Sequence, residues 1–201
     1  MAHEEIHIIN ALIDLCKEYD VKCLIQVGAE DAWESYNIGQ AMPLCRIIAI
    51  EADPGCNPIF PNINYHRELI GDNNEFVQFH CYGSGLSSKI KRGEGAEVLI
   101  GYQHRLDTFC EYFRTSPDAL IIDTEGTTLE VLRGCGALLD KLKFIYAECQ
   151  TVSVIDGDSP VDDVDALLRE HGMVQRDGLP SYNVGIQGNY TWVRRNGPDA
   201  R

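Results

Sequence analysis

The chain has 201 residues, of which 44% are hydrophobic and 24% are charged, and this composition excludes fibrous, collagen-like and disordered proteins. The length predicts a single domain over residues 1–201. Asp and Glu outnumber Lys and Arg by 31 to 17, which gives a net charge of -14. Because no basic cluster overcomes this field, we expect no nucleic acid partner.

The N-terminal segment predicts neither export nor membrane insertion. It carries acids where a signal peptide needs positive charge, and no apolar run approaches the roughly 20 residues of a membrane span. We therefore expect a cytoplasmic protein with no membrane partner. The eight cysteines include no Cys-x-x-Cys pair and mostly have apolar neighbours, which predicts reduced core residues rather than disulfides or a zinc site.

The first third of the chain reads as one helix followed by two strands. Apolar residues from Ile6 to Cys16 recur with helical spacing, which predicts an amphipathic helix ending near Tyr19. Two short apolar runs follow, at residues 22–27 and 46–50, and glycine or acidic residues stop each of them. Both runs predict buried parallel strands.

The middle of the chain is less regular. Residues 75–82 alternate between apolar and polar, which predicts a half-buried strand in an antiparallel excursion. Residues 83–101 are polar and rich in glycine, and they predict a mobile surface loop that serves as a lid and helps form the acceptor site.

The last third returns to alternating strands and helices. Buried strands are predicted at residues 119–122 and 144–147. Thr127 with Glu130 predicts a capping box for the helix between them, and Ser159-Pro160 predicts the N-cap and first turn of the next helix.

The chain ends with two further predicted strands, at residues 172–175 and 190–195. The loop between them contains Gly178, Pro180 and Gly185. Together these segments predict a closing antiparallel hairpin.

This order predicts a doubly wound, Rossmann-like α/β fold, with a mostly parallel sheet of about seven strands and a C-terminal antiparallel hairpin. In such folds ligands bind beyond the carboxyl ends of the strands. Four apolar strands deliver polar clusters there: Gly28-Ala29-Glu30-Asp31, Glu51-Ala52-Asp53, Asp123-Thr124-Glu125 and Glu148-Cys149-Gln150.

The first two clusters predict a nucleoside-bearing cofactor. A glycine directly after the first strand lets the backbone approach a ligand, and an acid ending the second strand can accept hydrogen bonds from a ribose diol. The segment GAEDAWE has a single glycine and adjacent acids where a dinucleotide needs a glycine-rich loop for its pyrophosphate. A sulfonium cofactor without phosphates therefore fits better than NAD.

Several stretches of the chain resemble one known family. RLDTFCEYF is followed by DALIIDTEGTTLEVLRGCGALLD and by FIYAEC, and LIQVGAED with IIAIEADP adds a weaker match. In this order, over residues 23–150, they resemble the FkbM-type family of class I S-adenosylmethionine-dependent methyltransferases. The chain departs from many relatives at Gln26, where they have an acid, and at Ala32 or Trp33, where they have a second glycine.

The resemblance implies the class I methyltransferase fold and S-adenosylmethionine as the cofactor. It also implies which residues bind that cofactor. The methionine end is shaped by three residues of the first turn, the ribose is held after the second strand, and the adenine amine is held by an acid. In that order the residues are Gly28, Ala29 and Glu30, then Glu51 and Ala52, then Asp72.

Three acids are candidates for the chemistry. Asp123 and Glu125 are two apart, so continued extended geometry would point them to one side, and Glu148 arrives from the following strand. A carboxylate with a raised pKa can accept the proton of an acceptor hydroxyl, which makes Asp123 or Glu125 the expected base. The same acids could bind a divalent metal, a reading that we favour less than metal-free transfer.

The resulting hypothesis is O-methylation of a hydroxyl on a sugar, a glycan-type precursor or another small metabolite. Two alternatives from other classes stay open. The departures at Gln26 and Ala32 allow an inactive binding module that keeps the fold, and fold alone allows a nucleotide-dependent enzyme such as a dehydrogenase or nucleotidase.

Overall fold

The computed structural model of the chain describes residues 2–82, 87–91, 93–151, 157–177, 183–184 and 187–195. The helices are α1 (Ala2–Glu18), α2 (Trp33–Ala41), α3 (Leu106–Tyr112), α4 (Thr128–Gly134) and α5 (Val161–Glu170), and a 3-10 turn spans Gly136–Asp140. The strands are β1 (Cys23–Val27), β2 (Arg46–Glu51), β3 (Tyr65–Arg67), β4 (Leu69–Gly71), β5 (Glu75–Cys81), β6 (Glu97–Arg105), β7 (Ala119–Ile122), β8 (Phe144–Gln150), β9 (Met173–Gln175), β10 (Asn183–Val184) and β11 (Gln187–Arg194).

The main sheet confirms the predicted doubly wound architecture. Its strands follow the order β10-β11-β8-β7-β1-β2-β3, and β9 also pairs with β11. The five strands β8, β7, β1, β2 and β3 run parallel to one another, whereas β11 is antiparallel to β8, β9 and β10. The predicted antiparallel closure is therefore present. Of its predicted loop, Gly178, Pro180 and Gly185 lie outside the described residues, and Asn183–Val184 forms β10.

Both faces of the sheet are buried because side chains alternate along each strand. One face packs against α3, α4 and α5 through residues such as Ile25, Ile122 and Leu132, and the other packs against α1 and α2 through Leu24 and Ile121. Each large aliphatic side chain buried in this way contributes about 1.5–3 kcal/mol. None of the helices in the described residues is both long enough and apolar enough to cross a membrane.

The middle of the chain differs most from the prediction. Residues 97–101, predicted as part of a mobile loop, belong to the strand β6, which pairs antiparallel with β5 and parallel with β4 in a second sheet. The apolar side chains of Val98 and Ile100 are exposed on this sheet. An antiparallel strand can pair through its backbone while one of its faces stays exposed. The strand β6 therefore lacks the continuous apolar run by which the buried strands were predicted.

The predicted capping box at the start of α4 does not form. Thr127 is the N-cap residue, but its hydroxyl donates to the carbonyl of Thr124, 3.1 Å away, and makes no cap hydrogen bond. Glu130 forms an ion pair with Lys89 instead of bonding back to the cap. The Thr127 side chain therefore bonds to the turn after β7, and the Glu130 side chain bonds to the segment that contains Lys89.

The start of α5 shows the same effect. Pro160, rather than Ser159, is the N-cap residue of this helix. The Ser159 hydroxyl donates to the carbonyl of Gly126 at 2.7 Å and accepts from the backbone N–H of Leu129 at 2.9 Å. The predicted cap therefore ties α5 to the turn that follows β7.

Candidate functional site

The turn after β1 holds three strand ends together. Gly28 has a φ of 77°, and a Cβ added to it would lie 1.6 Å from the carbonyl oxygen of Asp123. Its backbone N–H donates to the carbonyl of Ile50 at 2.9 Å. Only glycine combines this left-handed conformation with so close an approach, so the ends of β1, β2 and β7 meet around it.

Glu51, the last residue of β2, is fixed by two backbone amides. The residue is 9% exposed, and its carboxylate accepts from the N–H of Glu30 at 2.9 Å and from the N–H of Asp53 at 2.7 Å. Each carboxylate oxygen can accept a second hydrogen bond. Arg67 on β3 donates to the carbonyls of Asp53 and Cys56, which holds the loop after β2 in place.

A cleft opens at these strand ends, and it brings together most of the predicted cofactor residues. Gly28, Glu30, Glu51 and Ala52 line it, together with the acids after β7. Four apolar side chains also line it, namely Ile50, Leu69, Ile70 and Phe79. Of these, Ile50, Leu69 and Phe79 were not predicted from the sequence to belong to the site.

Asp72 does not join the described lining of this cleft. Its carboxylate instead accepts from Asn73 at 3.1 Å and from the buried Gln103 at 3.4 Å. Residues 68–70 reach the cleft in its place. The turn chemistry of Gly-Asp-Asn-Asn accounts for this placement, because short polar side chains there bond locally.

A short segment of the predicted lid, residues 87–91, lies at the cleft, and Ser87, Ser88 and Lys89 line it. The Ser87 hydroxyl donates to the Asp53 carboxylate, and the Ser88 hydroxyl donates to the carbonyl of Glu125 at 2.8 Å. Backbone hydrogen bonds with His80 attach the segment to β5. Sequence reasoning missed these serines, since their partners lie more than 30 positions away.

Asp123, Glu125 and Glu148 converge, although not by the predicted route. β7 ends at Ile122, and Glu125 and Gly126 have φ values of 50° and 96°, so extended geometry does not continue. A tight turn nevertheless brings ligand oxygens of the three carboxylates within 4.8 Å of one another. Oxygen ligands at such spacing also suit a hard cation, so the less favoured metal alternative stays open beside the predicted metal-free transfer.

The acids affect one another's protonation. Asp123 is exposed to the cleft, yet protein atoms crowd it. This crowding raises its pKa well above the ordinary Asp value, and repulsion from Glu148 and Glu125 raises it further. The pKa of Glu30 is also raised, first by burial and then by the neighbouring acids Asp31 and Glu34.

The two sequence departures are accommodated locally. Gln26 is 3% exposed; its Nε2 donates to Glu34 at 3.2 Å, and its Oε1 accepts from the Ser35 hydroxyl. The amide can donate to Glu34, whereas an acid at position 26 would repel it. Ala32 is fully buried and adopts a φ of 63°, so it takes the left-handed conformation that a glycine would adopt without strain.

A second cavity of about 310 Å³ lies beside the cleft. Gly28, Glu30 and Asp123 line both spaces. The second cavity is also lined by residues of α1, of α2 and of the strands β7, β8 and β11. Ala29, which was predicted to bind the methionine end of the cofactor, lines this cavity rather than the cleft.

Comparisons with known proteins agree with this fold. A family model described as the methyltransferase FkbM domain matches residues 26–174. No curated protein sequence gives a significant match.

Three solved structures illustrate the likeness. A SAM-dependent methyltransferase from Agrobacterium tumefaciens is 10% identical over 94% of this chain and 62% of its own, with a TM-score of 0.50. Precorrin-6y C5,15-methyltransferase from Geobacter metallireducens is 16% identical over 92% and 87%, with a TM-score of 0.49. A sugar N-methyltransferase from a Streptoalloteichus species is 10% identical over 94% and 87%, with a TM-score of 0.48. At such identities the likeness concerns the fold alone.

Proposed function

The chain belongs to the FkbM methyltransferase family, and on that premise we propose that it transfers the methyl group of S-adenosylmethionine to a hydroxyl of a sugar or another small metabolite. One observation carries the proposal. In the cleft at the ends of β1, β2 and β7, a carboxylate fixed by backbone amides shares the lining with Asp123 and Glu125, and Glu148 converges on these two acids.

The residues of the cleft fit this cofactor. Glu51 keeps acceptor capacity for a ribose diol, and the apolar side chains of Ile70 and Phe79 offer a surface for an adenine ring. The acids favour a positively charged sulfur, and they would repel the phosphates of a dinucleotide or nucleoside triphosphate. This chemistry argues against the nucleotide-dependent alternative.

S-adenosylmethionine, when bound, supplies a methyl group on a cationic sulfur that acts as a leaving group. A carboxylate of this chain would take up the proton that the acceptor hydroxyl loses when its oxygen receives the methyl group. Asp123 suits this role because its raised pKa makes it a stronger base than an ordinary aspartate. Crowding by protein atoms is the main cause of that raised pKa, and repulsion from Glu148 and Glu125 raises it further.

The alternative of an inactive binding module was based on the departures at Gln26 and Ala32. The structure accommodates both residues without disrupting the site, which weakens that alternative. Glu34 supplies a carboxylate beside the position where many relatives have an acid. Ala32 already adopts a left-handed backbone conformation, which glycine takes up most readily.

Titration calorimetry with S-adenosylhomocysteine tests the cofactor half, since this product needs no acceptor. We expect micromolar binding by the wild type and a loss of about tenfold or more in Glu51→Gln, because hydrogen bonds to a charged group contribute about 1.5–3 kcal/mol. Glu75→Gln is the matched control, since Glu75 is exposed on β5. An unchanged affinity in Glu51→Gln would contradict the ribose assignment, and absent binding by the wild type would contradict the proposed function.

Transfer of labelled methyl from S-adenosylmethionine to hydroxylated metabolites tests the second half. We expect turnover by the wild type with and without magnesium, and at least a hundredfold loss in Asp123→Asn, since general-base catalysis contributes about 10²–10⁴-fold. Asp123→Asn that still binds S-adenosylhomocysteine would separate lost chemistry from lost cofactor. Full activity in that variant would eliminate Asp123 as the base.

A further inference from the structure

The charged side chains that line the second cavity are all negative among the described residues. These acids are Glu30, Glu34, Asp123 and Glu148. Two of them are bonded to amides, Glu34 to Gln26 at 3.2 Å and Glu148 to Gln187 at 3.0 Å. A neutral amide orients a carboxylate without removing its charge, so this space favours a positively charged occupant.

Tyr146 on β8 gives an independent indication of a ligand. It lines the same cavity and is 7% exposed, and its hydroxyl has no hydrogen-bond partner among the described residues. A buried hydroxyl without a partner costs about 1–3 kcal/mol, a cost that an incoming polar group would remove. Burial, followed by the charges of Asp123, Glu34 and Glu148, raises the pKa of this hydroxyl, so it stays protonated and can donate.

The size and remaining walls of the cavity indicate an organic molecule rather than an ion. Its volume is about 310 Å³, near the lower end of the roughly 300–1,000 Å³ range of small-molecule sites. Ile8 and Leu12 of α1 and Ile121 of β7 supply apolar walls. Such walls pack against a carbon skeleton and offer nothing to a hydrated metal ion.

We propose that this cavity binds the methyl acceptor, and that the acceptor carries a protonated amine near the hydroxyl that is methylated, as an amino sugar does. The proposal rests on the proposed function and specifies its substrate class. The amine is held among the acids, and the Tyr146 hydroxyl donates to an oxygen of the acceptor. Because Asp123 lines both spaces, an acceptor in this cavity presents its hydroxyl to the base and to the cofactor cleft together.

The charge preference is tested with three sugars of one skeleton: glucosamine, N-acetylglucosamine and glucuronic acid. Each is titrated into the protein with and without saturating S-adenosylhomocysteine, at low and high salt. We expect glucosamine to bind at least about tenfold more tightly than N-acetylglucosamine, with weaker binding at high salt, and glucuronic acid not to bind. Equal or tighter binding of the neutral or acidic sugar, or no binding of any of the three at millimolar concentration, overturns the proposal.

Two variants locate the effect. Glu34→Gln is expected to reduce the preference for glucosamine about fivefold, and Tyr146→Phe to weaken its binding about three- to tenfold, because one neutral hydrogen bond is worth about 0.5–1.5 kcal/mol. Glu75→Gln and Tyr190→Phe are the matched controls, since neither residue lines the cavity. If Tyr146→Phe only raises the melting temperature and leaves glucosamine binding intact, the hydroxyl has a purely structural role and its assignment fails.

Two further readouts separate the ways of failing. If the wild type does not bind S-adenosylhomocysteine, the proposed function fails. The preference for an amine is measured separately, in the sugar titrations that contain no S-adenosylhomocysteine. Titration with magnesium chloride alone tests the alternative that the acids bind a divalent cation. Magnesium that binds tightly and displaces glucosamine would identify the acids as a metal site and overturn the amine proposal.

Discussion

Replacing Gly28 by alanine tests the close approach on which the site depends. The added Cβ would lie 1.6 Å from the Asp123 carbonyl oxygen, and real Cβ atoms do not come within 3.0 Å of such neighbours. One of the two strand ends must therefore move by the difference, about 1.4 Å. That movement separates the turn after β1 from the end of β7, where the candidate base lies.

The expected cost follows from two effects. Overpacking of this kind costs about 1–3 kcal/mol, and alanine in a left-handed conformation costs about 1–2 kcal/mol more. We therefore expect Gly28→Ala to lower the free energy of unfolding by about 2–5 kcal/mol. For a protein of this length that corresponds to a fall in melting temperature of about 4–20 °C.

Differential scanning calorimetry and urea unfolding measure this loss, and Gly39→Ala is the matched control. A Cβ at Gly39, inside α2, would meet Ile47 Cγ1 at 3.6 Å, an ordinary contact. Because alanine favours helix over glycine, the control should be stabilised by about 0.5–1 kcal/mol. A Gly28→Ala protein within about 1 kcal/mol of the wild type would refute the close approach.

Three further predictions follow from the charges and burial of single side chains. Asp123→Asn should raise the melting temperature at pH 8 but not at pH 4, as calorimetry at both pH values would show. Folding raises the pKa of Asp123, so the protonated acid stabilises the protein and this contribution is lost as the pH rises through the raised pKa. Arg67→Lys should weaken S-adenosylhomocysteine binding about three- to tenfold in titration calorimetry, since a single ammonium cannot hold the loop after β2 as the guanidinium does. Burial raises the pKa of Cys16 and of Cys110 to about 12, so iodoacetamide at pH 8 should modify both only after denaturation, as peptide mass spectrometry would show.

The central sheet could be predicted from the sequence because its strands are continuous apolar runs. The run at residues 119–122 coincides with β7, and the run at residues 46–50 falls one residue short of β2. A short, continuous apolar run is typical of a parallel strand that is buried on both faces of a sheet. The acids that follow them could be located for the same reason, since parallel strands deliver their ends to one edge.

Long-range polar contacts explain what the sequence could not predict. Ser87 bonds to Asp53, and Ser159 bonds to the turn after β7 instead of capping its own helix. A hydroxyl that serves as a cap and one that holds a distant turn have the same local sequence. Tyr146 was missed because its ring belongs to an apolar core, and only the assembled cavity shows that its hydroxyl lacks a partner among the described residues.

Strain and charge repulsion are concentrated where the site lies. Among the described residues, five non-glycine residues have positive φ, and three of these, Glu30, Ala32 and Glu125, belong to the turns that follow β1 and β7. Each left-handed residue costs about 1–2 kcal/mol, and repulsion among the carboxylates adds to this. The sheet, buried on both faces, can stabilise such turns, because its apolar burial does not depend on their conformation. Local sequence rules therefore hold along the strands and fail at the turns, where placing a fixed carboxylate beside a reactive one matters more than local stability.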